Sequence, residues 1–187
     1  MQFEIPGLEG LGPARAAVVP TDRELLPRAE NIAQFWAKVV ITPDCWFWTG
    51  AISDGYGRVT FQSGNMQRTM HAHLFALMIS GVPMTDGQIG EHACNETICV
   101  RVDPNHLHPG TQDRNIQYAV ALGRHRGPRP GAVDPRGRQG RAVAIRSALT
   151  DEDGQPRYDP AALTAARAMP AAAPMALFDI YRPPQGE

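Results

Sequence analysis

Two thiols five residues apart, Cys94 and Cys99, stand in the run Glu91-His92-Ala93-Cys94-Asn95-Glu96-Thr97-Ile98-Cys99, and His106-Leu107-His108 follows. Cysteine offers a soft thiolate and histidine an imidazole, the donors that zinc takes when its role is structural. Cys45 is the one other cysteine. It completes a Cys₃His set with Cys94, Cys99 and His106, which would tie the segment around Cys45 to the loop after residue 92. The competing reading is ordinary buried cysteines, which are common in cores; a loop this poor in apolar residues favours zinc. A second set of groups shares the run. The imidazole of His92 can take a proton from water near neutral pH. Asn115, on the first turns of a helix after Thr111, offers an oxygen to one hard octahedral cation such as Mg²⁺. A base and a cation facing each other across a strand–loop–helix unit are the parts that hydrolyse a phosphodiester. Taken alone His92 is an ordinary polar residue, and its place inside the zinc loop gives it weight.

The elements that must position these groups are short. Residues 1–28 read as an irregular lead-in, broken by Pro6, Gly7, Gly10, Gly12, Pro13, Pro20 and Pro27. Ile32, Phe35, Trp36 and Val39 recur at helical spacing, which predicts a helix from Ala29 to Val40 ended by Pro43. Trp46–Thr49, Arg58–Phe61 and Gln67–Met70 read as strands, with turns at Asp54–Gly57 and Ser63–Asn65. A helix is expected over His73–Ile79 and another from Thr111, as cap, to about Leu122, stopped by Gly123. Trp46 and Trp48 alternate on their strand, one toward the core and one half-exposed. His71 and His73 read as surface or packing residues. Residues 124–141 have the composition of a flexible basic segment. Ala142–Leu149 and Ala161–Met169 are expected as short helices around the acidic turn Asp151–Gly154. Leu163, Ala166 and Met169 give them too little apolar surface to stand alone, so they should pack on the core or on a second subunit, which leaves a homodimer open.

The chain has 187 residues, 18 Lys and Arg against 19 Asp and Glu, and a net charge of −1. Neutrality argues at first against a nucleic-acid partner, but the charges are segregated. Residues 114–146 carry eight arginines, among them Arg114, Arg124, Arg126 and Arg129, against the single acid Asp134. Such a segment neutralises phosphates and releases counterions, giving salt-sensitive affinity for double-stranded DNA. The competing reading is a solvated tail. No stretch approaches the about 20 apolar residues of a membrane span. The N-terminus lacks the basic start and apolar run of a signal peptide, and an odd cysteine count suits a reducing compartment. A cytoplasmic protein without a membrane partner is expected.

The run His92-Ala93-Cys94-Asn95, with Cys99-Val100, Pro104-Asn105-His106-Leu107, Gly110-Thr111-Gln112, Asn115 and Gly123-Arg124, resembles the HNH endonucleases of phages and actinobacteria. Cys45-Trp46-Phe47-Trp48-Thr49-Gly50, Gly55-Tyr56-Gly57 and Ala72-His73 fit the same group. The likeness covers about residues 35–126 and is nearest to the His-Cys box homing endonucleases. It implies an α+β fold with a small zinc-braced ββα-metal (His-Me finger) core, in which the zinc site replaces much of the hydrophobic core. Irregular extensions rich in Arg, Pro and Gly would surround it. By the same resemblance His92 is the general base and Asn115 the Mg²⁺ ligand. Cys45, Cys94, Cys99 and His106 hold structural zinc, Asn95 braces the loop, and Arg58 or Arg68 steadies the scissile phosphate.

Three departures matter. The zinc loop is two residues longer than usual between Cys99 and His106, which keeps His108 as an alternative ligand. His73 is followed by Leu74 where a His–Arg pair is common, removing one phosphate contact. Glu91 stands where many relatives have an acidic metal ligand and would share the cation with Asn115. The expected organisation is a lead-in over 1–28, a nuclease domain over 29–126, a basic linker over 127–141 and a helical extension over 142–187. The function implied is a metal-dependent DNA endonuclease or nickase. A zinc-stabilised DNA-binding module without turnover, or an accessory factor for phage DNA packaging, are the competing classes.

Overall fold

A computed structural model describes residues 27–121 and 134–168. The first helix, α1 (Ala29–Trp36), is shorter than its apolar spacing predicts. Val39, Val40 and Ile41 leave the helix because a β-branched run packs better in a pleated sheet. They form β1 (Val39–Ile41), antiparallel to β2 (Trp46–Trp48), with Val39 opposite Trp48 and Ile41 opposite Trp46. The turn between them closes on Thr42, whose hydroxyl donates to the Cys45 carbonyl at 2.7 Å and accepts from the Cys45 N–H at 3.2 Å. Cys45 is thereby fixed at the mouth of β2.

A three-stranded antiparallel sheet follows, in the order β3 (Ile52–Ser53), β4 (Tyr56–Ser63), β5 (Met66–His71). Its first turn uses Asp54 and Gly55, both with positive φ, as a two-residue hairpin requires. Along β4 burial alternates: Gly57, Val59, Phe61 and Ser63 face inward, while Arg58, Thr60 and Gln62 face out. The inward face meets α2 (Ala72–Ile79), which buries Phe75, Ala76 and Leu77. Phe75 lies 4.9 Å from Phe35 and 5.0 Å from Phe61, and Phe35 stacks on Trp48 at 5.1 Å. This aromatic cluster corrects one implication of the family likeness. A sizeable apolar core exists here, and Cys45 and Cys99 are part of it. Of the two alternating tryptophans, Trp48 is buried and Trp46 half-buried.

Next come β6 (Gln88–His92) and β7 (Leu107–Thr111), an antiparallel pair that places His92 opposite Leu107 and Glu91 opposite His108. β7 runs directly into α3 (Gln112–Ala121), and the Thr111 hydroxyl accepts the Arg114 N–H at 3.2 Å as the expected cap. The described fold is thus mixed α+β with short antiparallel strands. Among the described residues no helix is long and apolar enough to cross a membrane.

The last described segment differs from its sequence reading. Its first helix, α4, spans Gly137–Ala148 and begins five residues before the expected Ala142, so the end of the basic run is ordered helix. α5 (Pro160–Arg167) starts on Asp159, whose carboxylate accepts the N–H groups of Ala161 and Ala162. Ala142, Ile145, Leu149 and Leu163 join the same core as α1, α2 and β4. A polar clamp adds to this burial. The Glu96 carboxylate, almost wholly buried, accepts from Arg141 at 2.7 Å and from Arg167 at 3.1 Å. Arg141 also reaches Asp134, as does Arg136 at 2.7 Å. Two arginines of the basic run are therefore structural. Glu96→Ala strands both guanidinium partners and should lower stability by about 2–3 kcal/mol, read from urea denaturation, with α4–α5 becoming the first site of limited proteolysis.

Candidate functional site

The long connection 93–106 holds no strand or helix of its own and takes its shape from hydrogen bonds to its neighbours. Residues 98–100 lie along the free edge of β2: Trp48 N–H donates to Ile98 O at 2.9 Å and Val100 N–H to Trp46 O at 2.7 Å. That pairing sets Cys99 beside Phe47 and close to Cys45. Arg101 binds the Asp103 carboxylate at 2.6 Å and the carbonyls of Pro43 and Asp44, lashing the loop to the β1–β2 turn. Ala93 N–H donates to His106 O at 2.7 Å, which closes the loop at its base.

These constraints gather Cys45, Cys94, Cys99 and His106, whose donor atoms all lie within 4.8 Å of one another. The His106 Nδ1 is 3.6 Å from Cys45 Sγ and 3.8 Å from Cys99 Sγ. A tetrahedral zinc ion, with Zn–S near 2.3 Å and Zn–N near 2.0 Å, spaces neighbouring sulfur and nitrogen ligands by about 3.6 Å. Donor set and spacing agree, and the cluster can hold a metal ion such as zinc. The thiols show the cost of being close. Hydrogen bonds with Cys94 and Cys99, then burial, push the Cys45 thiol far up. Those from Cys45 and Cys99 hold Cys94 far below the usual thiol range. At Cys99 the contact with Cys45 works downward but is outweighed by Cys94 and burial, leaving the thiol pushed up to about 12. His108, the alternative ligand, stands elsewhere: its Nε2 is 3.7 Å from the Glu91 carboxylate across the β6–β7 pair.

Beside the Cys₃His group a cleft of about 390 Å³ is walled by β6, the start of α3, and the β5–α2 junction. His92 and Asn115 both line it, as the strand–loop–helix reading expected, and Glu91 lines it too. Both ring nitrogens of His92 are covered and lack a hydrogen-bond partner, although the imidazole lies near enough to Cys94 to help hold that thiol down. A buried polar group in this state marks a place where water, an ion or a ligand belongs. The carboxylate of Glu91 is buried against Gly110, where any side chain would collide with it.

Sequence reasoning missed three residues of this cleft. Tyr56, His71 and His73 line it. The His71 and His73 rings stack at 5.1 Å, and His73 meets His92 edge-on at 5.0 Å. The signal was the pair itself, two imidazoles flanking Ala72 where β5 passes into α2. Burial, then His92 and His71, push His73 down to about 3, so its ring is neutral at ordinary pH. The register also separates the two candidate arginines. Arg58 pairs with His71 and shares the outer sheet face with Tyr56, and its charge, after burial, lowers the His71 pKa. Arg68 pairs with Phe61 on the inner face, so only Arg58 is on the cleft side of the sheet. Arg114 is exposed on the first turn of α3. Arg124, Arg126 and Arg129 lie outside the described residues.

No family model, curated protein or solved structure matches the chain. What the fold and the site define is a mixed α+β protein with a Cys₃His group next to a histidine-lined cleft.

The His73 shift carries a sign. The unfolded chain protonates this ring at about its ordinary 6.5, the folded chain only at about 3. Between those values the unfolded state binds the extra proton, so stability should rise with pH by up to about 1.4 kcal/mol per unit and level off above 6.5. Urea midpoints at pH 5 and pH 7 should differ less in His73→Phe than in the native protein.

Proposed function

We propose that this chain is a metal-dependent DNA endonuclease or nickase of the HNH type, with a structural zinc ion held by Cys45, Cys94, Cys99 and His106. The observation that carries the reading is the unit β6–β7–α3: one antiparallel pair and one helix bring His92 and Asn115 to a common cleft beside the Cys₃His group.

In this reading His92 takes the proton of the attacking water, its ring held in place by the edge contact with His73 and by the Leu107 pairing at the end of β6. His73, neutral and buried, can support that ring without competing for the proton. The hard oxygen donors of the cleft, Asn115 with Glu91 beside it, suit a cation such as Mg²⁺. A cation there would supply charge stabilisation to the phosphorane and the departing 3′ oxygen. Arg58, facing out beside His71, would meet a phosphate entering the cleft, a role supported by its position opposite His71 on the outer sheet face. By likeness to the HNH group, the ends left are a 5′-phosphate and a 3′-hydroxyl.

Supercoiled plasmid should become nicked or linear with Mg²⁺ and stay supercoiled without it. His92→Ala and Asn115→Ala should each slow the reaction by at least about 100-fold. Metal-dependent nicking that survives in a clean His92→Ala preparation would falsify the base assignment. A wild-type chain that binds duplex tightly yet never nicks it would make the protein a binding module. The zinc role has a separate check: elemental analysis should find about one zinc per chain. Cys94→Ser or chelation should unfold the core as the metal leaves, because binding energy here is folding energy. A folded, zinc-free protein sinks that role.

A further inference from the structure

A second cleft, of about 590 Å³, lies between the zinc loop and the α4–α5 unit. Asn95 and Thr97 line both this cleft and the one holding His92. The two are therefore adjacent, separated only by the crest of the zinc loop. Three arginines line the second cleft, Arg138, Arg141 and Arg167, with two acids, Glu96 and Asp134. Both acids are committed: Glu96 to Arg141 and Arg167, Asp134 to Arg136 and Arg141. Arg138 is left as the cation of this cleft without a carboxylate partner among the described residues.

Its guanidinium is nonetheless anchored. Nε donates to the Asp54 carbonyl at 2.8 Å, and the guanidinium carbon sits 4.7 Å from the centre of the Tyr56 ring. Gly55 allows this approach: a Cβ there would strike both the Arg138 side chain and its backbone, and the residue's φ of +79° excludes most others. Gln139 accepts the Gly55 N–H, and the Thr97 hydroxyl donates to the Gly55 carbonyl. Turn, zinc loop and α4 thus converge on one glycine at the lip of the His92 cleft. Tyr56 is shared as well, its other ring neighbours being His71 at 5.3 Å and His73 at 5.5 Å. Arg138 stands one ring beyond the histidine group, with its two terminal nitrogens meeting no acceptor among the described residues. A planar fork of fixed orientation and uncompensated charge is suited to a phosphate.

We propose that Arg138 holds the DNA phosphate neighbouring the one that faces His92, so that the strand passes from the histidine cleft over Asn95 and Thr97 toward α4. This rests on the nuclease reading and adds to it a phosphate subsite supplied by the C-terminal helical unit. The subsite joins two parts of the chain far apart in sequence. It gives α4 a part in substrate binding besides its part in the core.

The test is the salt dependence of duplex binding, measured on the full chain by fluorescence anisotropy in a His92→Ala background so that the DNA stays intact. One lost phosphate contact reduces the slope of log K against log salt by about 0.9. Arg138→Gln should show that reduction and bind several-fold more weakly on every sequence. Arg138→Lys, which keeps the charge, should restore the slope, and Arg157→Gln, on the exposed stretch before α5, should leave it unchanged. Because Arg138 also pins α4, zinc content and thermal midpoint are read alongside, and Arg138→Met, which keeps the aliphatic stem packed at Gly55, decides if the Gln variant is unstable: a normal fold with the slope reduced by about 0.9 supports the subsite, and a normal fold with an unaltered slope overturns it. A slope unaltered in a folded Arg138→Gln protein overturns it while leaving the nuclease reading intact. A wild-type chain that neither binds nor nicks duplex overturns both.

Discussion

Three thiols forced within a few ångströms of each other impose the central constraint on this molecule. Hydrogen bonding among the three pushes the Cys45 thiol up and holds Cys94 far below the usual thiol range, and Cys99 is raised as well. A divalent cation bound there would compensate thiolate charge, and its binding energy would be folding energy. The loop 93–106 has no strand or helix of its own to fix it. Its hydrogen bonds to β2 and to the 42–45 turn bring the ligands together.

The opposite face of the same loop is held by ordinary ion pairing. Glu96, two residues beyond Cys94, is buried and shared between Arg141 and Arg167. A buried carboxylate pays for its desolvation only through good partners, and paired burial more often specifies a geometry than adds net stability. Here the geometry specified is that of α4–α5 against the loop 93–106. The arrangement couples the two ends of the described chain, since Arg167 also meets Asp44, the residue before Cys45. The loop 93–106 is thus gripped by the Cys₃His cluster on one side and an arginine clamp on the other, and His92 enters it from β6.

The donor set was legible from sequence because chemistry-bearing residues are rare and their types restrict what they can bind. Cys45, Cys94, Cys99 and His106 were legible as a group, and the choice of His106 over His108 needed the β6–β7 register, which sends His108 to Glu91. The end of α1 was misjudged because Val39 fits both a helical stripe and a strand, and only pairing with Trp48 decides between them. His71 and His73 were undervalued for a related reason. The strand-to-helix junction at Ala72 turns neighbouring side chains in a way that neither period alone describes, and it delivers both rings to the cleft. Long-range partners such as Glu96 with Arg141 leave no local pattern at all.

The arginine-rich run shows how charge read along a chain differs from charge in a fold. Its eight arginines against one acid suggested a uniform basic arm. Among the described members, Arg136 and Arg141 are spent on Asp134 and Glu96, and Arg138 rests on Tyr56 with its charge uncompensated. Electrostatic attraction to a polyanion depends on the charges left over after internal pairing and on where they stand. Arg58 on the outer sheet face and Arg138 at the cleft lip flank the histidine group from two different elements. In the nuclease reading proposed above, two cations so placed would orient a strand across His92, whereas a loose tail of the same net charge would only raise its local concentration. The distribution of charge, not its sum of −1, is what the fold has arranged.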